Sequence, residues 1–247
     1  MQKTHLHFID GEAMIDLSFE EKVLLYEINK YCKRYEEIDA NFSGTPSRYE
    51  YCCGSRGGIH RGYYSPSLIE DIVVGGVNRG RRVIHPRSNY QFRYSFDSDN
   101  RLNVAEYYWD RDCGATPVLY SKEFLIREGQ TVVAPIYEVI CRPEISGVSI
   151  CEYDDCGRIV SYDRLVCYIE NPRLGGYKDY YSEKYSYDNN GLLKDVYCGE
   201  KRESYIVWNK YRFHHDTEGK LNCYEHFDGN GTLTSSYDVP KSKQRKI

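Results

Sequence analysis

No stretch of the sequence approaches the ~20 consecutive apolar residues that a membrane-spanning helix needs, so no membrane partner is expected. Residues 1–10 lack the basic start and apolar run of a signal peptide, which points to a cytoplasmic chain. No Cys-x-x-Cys pair occurs, and the known structural-zinc spacings are missing. There is no Gly-x-Ser-x-Gly elbow and no phosphate-cradling Gly-x-x-x-x-Gly-Lys-Ser/Thr loop. A Gly-x-Gly-x-x-Gly run after a strand is missing too. These absences leave no readable catalytic site and no expected cofactor. Methionine and tryptophan are scarce, with 2 copies each, so a deep oily core is not the basis of the fold.

What is abundant is tyrosine, with 26 copies against 8 phenylalanines. A tyrosine ring packs on a pleated surface while its hydroxyl reaches water or a partner, so this composition favours strands. The 247 residues suffice for a sizeable core. The 10 cysteines sit inside strand-like runs such as 139–141 and 165–169, where they act as small hydrophobes, and they read as reduced thiols.

Charge is uneven. The net value is −4, yet residues 44–95 hold eight arginines against three acids. That stretch is therefore +5 and the remainder −9. Arg79, Arg81, Arg82 and Arg87 form its densest part and are the candidate partner-binding residues; arginine stems covering aromatic sheet faces are the plainer account. Arg56-Gly57-Gly58 and Arg79-Gly80-Arg81-Arg82 have the basic, glycine-containing character of some nucleic-acid-binding segments. The acidic overall balance points away from nucleic acid.

Along the chain, Ser18 and Glu21 make a capping box. Leu24, Ile28, Tyr31, Tyr35 and Ile38 then recur at helical spacing, predicting one amphipathic helix over about 19–37 within an N-terminal segment 1–43. Residues 41–86, rich in glycine and proline, read mostly as loop, with 69–74 as a possible strand. From Tyr90 the pattern sharpens: Tyr90, Phe92, Tyr94 and Phe96 alternate with polar residues.

Beyond Tyr94 a short pattern, aromatic-Asp-x-x-Gly-x-aliphatic, recurs at 96–102, 153–159, 187–193, 215–221 and 227–233. The first copy has Asn100 for glycine, and the fourth has His215 for the aromatic residue. The aspartate carboxylate can accept backbone N–H groups just ahead of it. The glycine, or asparagine, takes a left-handed conformation that other residues resist. Asp97, Asn100, Asp154, Gly157, Asp188, Gly191, Asp216, Gly219, Asp228 and Gly231 are thus expected to be turn formers rather than catalytic groups. The spacing is too irregular for a solenoid. The expected architecture is mainly β: a curved antiparallel meander of repeated hairpins over 44–240, with the N-terminal helix packed on it. A basic, frayed tail over 241–247 is expected to follow.

The repeated pattern resembles the YD repeat of RHS-type proteins and the repeats of small β-rich antitoxins, most closely at 153–159 and 187–193. In large members such repeats wind into a shell around a toxin domain, and this chain is too short for that. The resemblance implies a stand-alone immunity protein that covers a cognate toxin, with the acidic bulk suited to a basic partner such as a nuclease. Two other readings remain open. One is a small hydrolase or metal enzyme with a loop-built site; the other is a subunit of a larger β assembly. For a metal, His214, His215, Cys223 and His226 are the cluster to inspect, since a hairpin at 217–219 would bring them near one another.

Overall fold

The computed structural model describes residues 7–9, 12–14, 19–42, 44, 46–55, 61–73, 79–83, 90–109, 117–167, 178–202, 205–241, 244–245 and 247. One 14-stranded antiparallel sheet dominates. It begins with β3 (Arg48–Ser55) and the edge strand β4 (Arg79–Val83). After them come β5 (Phe92–Phe96), β6 (Leu102–Trp109), β7 (Val118–Phe124), β8 (Ile126–Glu128) and β9 (Thr131–Glu138). The series continues with β10 (Glu144–Tyr153), β11 (Ile159–Cys167), β12 (Lys178–Tyr187) and β13 (Leu193–Arg202). It ends with β14 (Tyr205–His215), β15 (Leu221–Phe227) and the second edge strand β16 (Leu233–Asp238). Chain order is sheet order from β9 to β16, so the sheet is an open, curved meander. The strands at 48–55 and 79–83 join the same sheet through β5. A short hairpin, β1 (His7–Ile9) with β2 (Glu12–Met14), stands apart.

The aspartate turns explain the meander. Asp154 Oδ1 accepts the N–H groups of Cys156 and Arg158, both at 2.9 Å. Asp188, Asp216 and Asp228 each do the same for the residues two and four ahead. Asp97 accepts from Arg101 at 2.8 Å. The φ values are +63° at Asn100 and +76°, +78°, +77° and +81° at Gly157, Gly191, Gly219 and Gly231. In every copy the strand register shifts at the residue before the aspartate, which then faces the aliphatic residue: Tyr153↔Ile159, Tyr187↔Leu193, His215↔Leu221, Phe227↔Leu233 and Phe96↔Leu102. This is a bulged hairpin set by one left-handed residue. A Cβ at Gly157 would touch nothing, so its cost is purely conformational. Gly157→Ala is expected to lower stability by about 1–2 kcal/mol, read by urea unfolding.

The helical layer departs from the sequence reading. Instead of one helix over 19–37 there are two, α1 (Phe19–Tyr31) and α2 (Tyr35–Phe42). The break has a cause in the sheet. The Tyr31 carbonyl accepts the Tyr137 hydroxyl at 2.7 Å and the Arg34 N–H at 3.0 Å, so its α-helical continuation is lost. Arg34 then pairs with Glu37 in the first turn of α2. The change of direction lets Leu24, Tyr31 and Ile38 all reach one core cluster with Phe124, Val133, Tyr137, Val148, Leu165 and Tyr180. Burying Leu24 there contributes about 2 kcal/mol. Ser18 of the capping box lies outside the described residues.

A third helix, α3 (Leu68–Ile72), replaces the strand expected near 69–74. Ser67 caps it by accepting the Glu70 N–H at 2.9 Å. It covers the other face of the sheet, where Ile69 joins Cys151, Tyr162, Tyr181, Tyr185, Val196, Cys198 and Phe213. We call this face one, and the face under α1 and α2 face two. Of the segment expected to fray, 241–247, the described residues Ile247 and Arg245 make contacts: Ile247 packs on the face-one core, and Arg245 pairs with Asp71 of α3.

Candidate interaction face

Antiparallel pairing places residues in rows across the strands, and alternation decides which face each row occupies. One row on face two runs Lys184, Tyr197, Lys210, Phe227, Leu233 across β12 to β16. The neighbouring row holds Ser182, Gly199 and Trp208. On the other side lie Asp195, Arg212, Glu225 and Ser236. The α1–α2 layer covers the middle of face two; toward β13 and β14 it is tied by the Lys201–Glu21 ion pair of 2.6 Å, with Ile206 packed on the same core. Beyond it Tyr197 is 45% exposed, Trp208 37% and Leu233 51%. The same strands bury Val196, Cys198, Phe213, Leu221 and Tyr224 on face one, so the two faces differ sharply.

The local geometry seats the Trp208 ring against the sheet. Gly199 lacks the Cβ that would meet the Trp208 ring at 2.8 Å, so the indole lies directly over the backbone. Lys210 Nζ sits 5.1 Å from the Tyr197 ring centroid, and the Arg212 guanidinium 5.2 Å from that of Phe227. Two acids of the face lie low. Asp195 is buried and binds Lys210 at 3.0 Å and Arg212 at 3.3 Å. Asp163, also buried, binds Ser182 at 2.6 Å and Lys184 at 2.7 Å. Burial works against the Lys210 charge, but Asp195 and Tyr197 outweigh it and raise its pKa. Around Tyr197 and Trp208 the outward surface is therefore aromatic rings flanked by held cations, with Asp163 and Asp195 beneath; of the acids nearer the edge, Glu225 is partly exposed and Asp238 exposed.

Face one carries a buried polar layer instead. Arg61 Nε donates to Glu123 at 2.8 Å and its Nη2 to Ser149 at 2.7 Å. Glu183 accepts the hydroxyls of Ser67, Tyr181 and Tyr185, and the Ile69 N–H at 3.5 Å. These groups fasten the 61–73 segment to the sheet. Burial pushes the thiols of Cys151 to about 11 and Cys198 to about 12, so both stay protonated and unreactive at neutral pH.

The residues singled out from sequence scatter. Arg79, Arg81 and Arg82 lie on the edge strand β4, and Arg87 lies outside the described residues. Arg81 and Arg82 are exposed, but Arg82 pairs with Glu50, which also holds Arg48. The turn residues sit at strand ends with their carboxylates occupied by backbone donors. The histidine–cysteine cluster does not form. His214 and Cys223 are register partners on face two, where His214 Nε2 is 3.2 Å from Glu225. His226 lies on the opposite face, stacked on Tyr211 with ring centroids 4.7 Å apart. Alternation along β15 separates it from Cys223 and Glu225. His215 follows the bulge, and burial lowers its pKa. Among the described residues no group of three ligands is placed to hold a metal.

Sequence reasoning missed the Lys184-to-Leu233 row, because its members are separated by whole hairpins. Only the register aligns them.

No protein-family model matches the chain, and no curated protein sequence does. Among solved structures, the chain is similar to a crystal structure of a protein of unknown function from Bacteroides fragilis, at 13% identity and a TM-score of 0.33. The match covers 61% of this chain and 93% of that one. No helix among the described residues is long and apolar enough to cross a membrane.

Proposed function

We propose that the chain is a protein-binding module that docks its partner on the open part of face two. The observation that carries this reading is the row Lys184, Tyr197, Lys210, Phe227, Leu233 with Trp208 beside it, on a sheet whose strands β13 to β15 bury Val196, Cys198, Phe213, Leu221 and Tyr224 on the opposite face. Rigid aromatic side chains with flanking cations are favoured interface anchors: they bury much area and lose little rotamer entropy. Because Asp163 and Asp195 lie beneath the cations, the Tyr197–Trp208 part of the face suits a partner patch that is acidic and apolar. The basic partner that the chain's net charge suggested fits it less well.

The specific form we propose is a cytoplasmic immunity protein that neutralises a toxin domain by occlusion. It rests on the resemblance of the aspartate hairpins to YD repeats. Co-expression with a toxin domain encoded beside it tests this form. Wild-type chain is expected to restore growth, and Trp208→Ala/Lys210→Glu is expected to fail while staying folded, after losing about 3 kcal/mol of binding. Continued killing with soluble, folded wild-type chain present would overturn it.

A further inference from the structure

The two edges of the large sheet differ. β4 carries Arg79, Arg81 and Arg82, the kind of charge that keeps other strands off an edge. β16 reads Leu-Thr-Ser-Ser-Tyr-Asp, with Asp238 its single charge and neither lysine nor proline. Its only strand neighbour among the described residues is β15. Leu233 and Tyr237 on it are 51% and 49% exposed. Past Val239 the described residues of the tail turn back over the sheet, away from this edge. The Arg245 carbonyl accepts the Leu221 N–H at 3.0 Å, and the Ile247 carbonyl accepts the Leu193 N–H at 3.2 Å.

The register shows which backbone groups of β16 point outward. Val239 N–H donates to the Asn222 carbonyl at 2.8 Å, continuing the pairs Asp238↔Cys223 and Tyr237↔Tyr224. Hydrogen-bonded and non-hydrogen-bonded pairs alternate in an antiparallel ladder. Ser235, Tyr237 and Val239 therefore bond to β15, and the N–H and C=O groups of Ser236 and Asp238 face outward.

This edge is complementary to itself. Placed antiparallel about a two-fold axis at Tyr237, each Ser236 meets the other copy's Asp238 as a hydrogen-bonded pair, and the outward groups make four main-chain bonds. On face two the Ser236 hydroxyl can then donate to the Asp238 carboxylate opposite. On face one the two Tyr237 rings meet in the closer, non-hydrogen-bonded pair. They extend the stack of Tyr224 on Tyr237, whose ring centroids are 5.1 Å apart. Pro240, which has no N–H, falls opposite Thr234 at the end of the ladder. An axis at Asp238 would set like charges face to face and demand an N–H of Pro240. An axis at Ser236 would pair Tyr237 with Ser235 and lose the ring contact.

We propose that the chain forms a two-fold homodimer by antiparallel pairing of β16 with β16 of a second copy, centred on Tyr237. The two 14-stranded sheets become one, and each face runs on across the axis. An edge this short buries less than the ~1,200 Å² of a standard interface, so the dimer depends on concentration. It does not rest on the partner proposed for the Trp208 face.

Sedimentation velocity on the full chain, from about 10 μM to about 1 mM, tests this. Wild type is expected to pass from monomer to dimer, and Trp208→Ala/Lys210→Glu to do the same. Tyr237→Lys and Tyr237→Glu are each expected to weaken the dimer at least about tenfold, because like charges then meet at the axis. Their equimolar mixture is expected to recover it, since lysine then faces glutamate. Ser236→Pro, whose lost N–H points away from β15, is expected to keep its circular dichroism spectrum and remain monomeric. Wild type that is still monomeric at the highest concentration would overturn the proposal. So would a Tyr237→Lys or Ser236→Pro dimer as tight as wild type, or a mixture no tighter than its components.

Discussion

Glu123→Ala is expected to cost about 3–5 kcal/mol in urea unfolding, more than any surface change. Arg61 and Glu123 are 4% and 4% exposed, and their 2.8 Å bond links the 61–73 segment to β7. Removing the carboxylate leaves a buried guanidinium with only Ser149 as a strong acceptor. The segment cannot swing outward to hydrate that charge without losing other bonds. The Tyr94 hydroxyl donates to the Arg61 carbonyl at 2.8 Å, and Gly62 packs tightly against Phe92. The pair itself is not the source of the loss; the stranded charge is. Replacing the whole group by Arg61→Met/Glu123→Leu/Ser149→Ala is therefore expected to recover most of the stability, because no buried charge or hydroxyl is left alone. If Glu123→Ala cost less than about 1 kcal/mol, the buried pair would not be the fastening described here.

Glu183→Leu is expected to cost about 3 kcal/mol, since the hydroxyls of Ser67, Tyr181 and Tyr185 lose a common acceptor at a site closed to water. Ser67 would keep its cap on α3, so the loss falls on the docking of the helix rather than on the helix itself. The same residue gives a pH signature. Burial raises the Glu183 pKa above the usual carboxylate range, although the three hydroxyls oppose that shift. Above an unfolded value of about 4.3, the unfolded chain has released this proton while the folded chain still holds it. Stability from this group is therefore fully present below the unfolded pKa, and it falls as pH rises through the folded one. In Glu183→Gln that contribution to the slope is expected to vanish. Unfolding curves of wild type and variant across the acid range check it, and parallel pH profiles would contradict it.

The hairpins were legible because their information is local. An aspartate, a left-handed glycine and an aliphatic residue within seven positions define the turn, the bulge and the returning strand together. The two helical departures have different causes. The apolar period of Leu24, Ile28, Tyr31, Tyr35 and Ile38 runs straight through the break, because both helices face the same sheet; the break comes from Tyr137, more than a hundred residues away. The apolar run at 69–74 reads as a strand, where the structure has α3. Ser67 and Glu70, spaced as a capping box just after Pro66, held the helical signal.

The interaction face and the buried layer were not legible for the opposite reason. Arg61 and Glu123 are 62 positions apart. Tyr197, Lys210 and Phe227 become neighbours only through register. The histidine cluster shows the same limit in reverse: nearness in sequence suggested a site, and strand alternation puts His226 on the wrong side.

The most direct test of the docking face compares capture of partners from extracts of the source cell by wild-type chain and by Trp208→Ala/Lys210→Glu, with the fold of each verified by circular dichroism. The account predicts one stoichiometric protein with wild type and its loss with the variant. Equal recovery of that protein by both chains, or no stoichiometric protein with wild type, would contradict it.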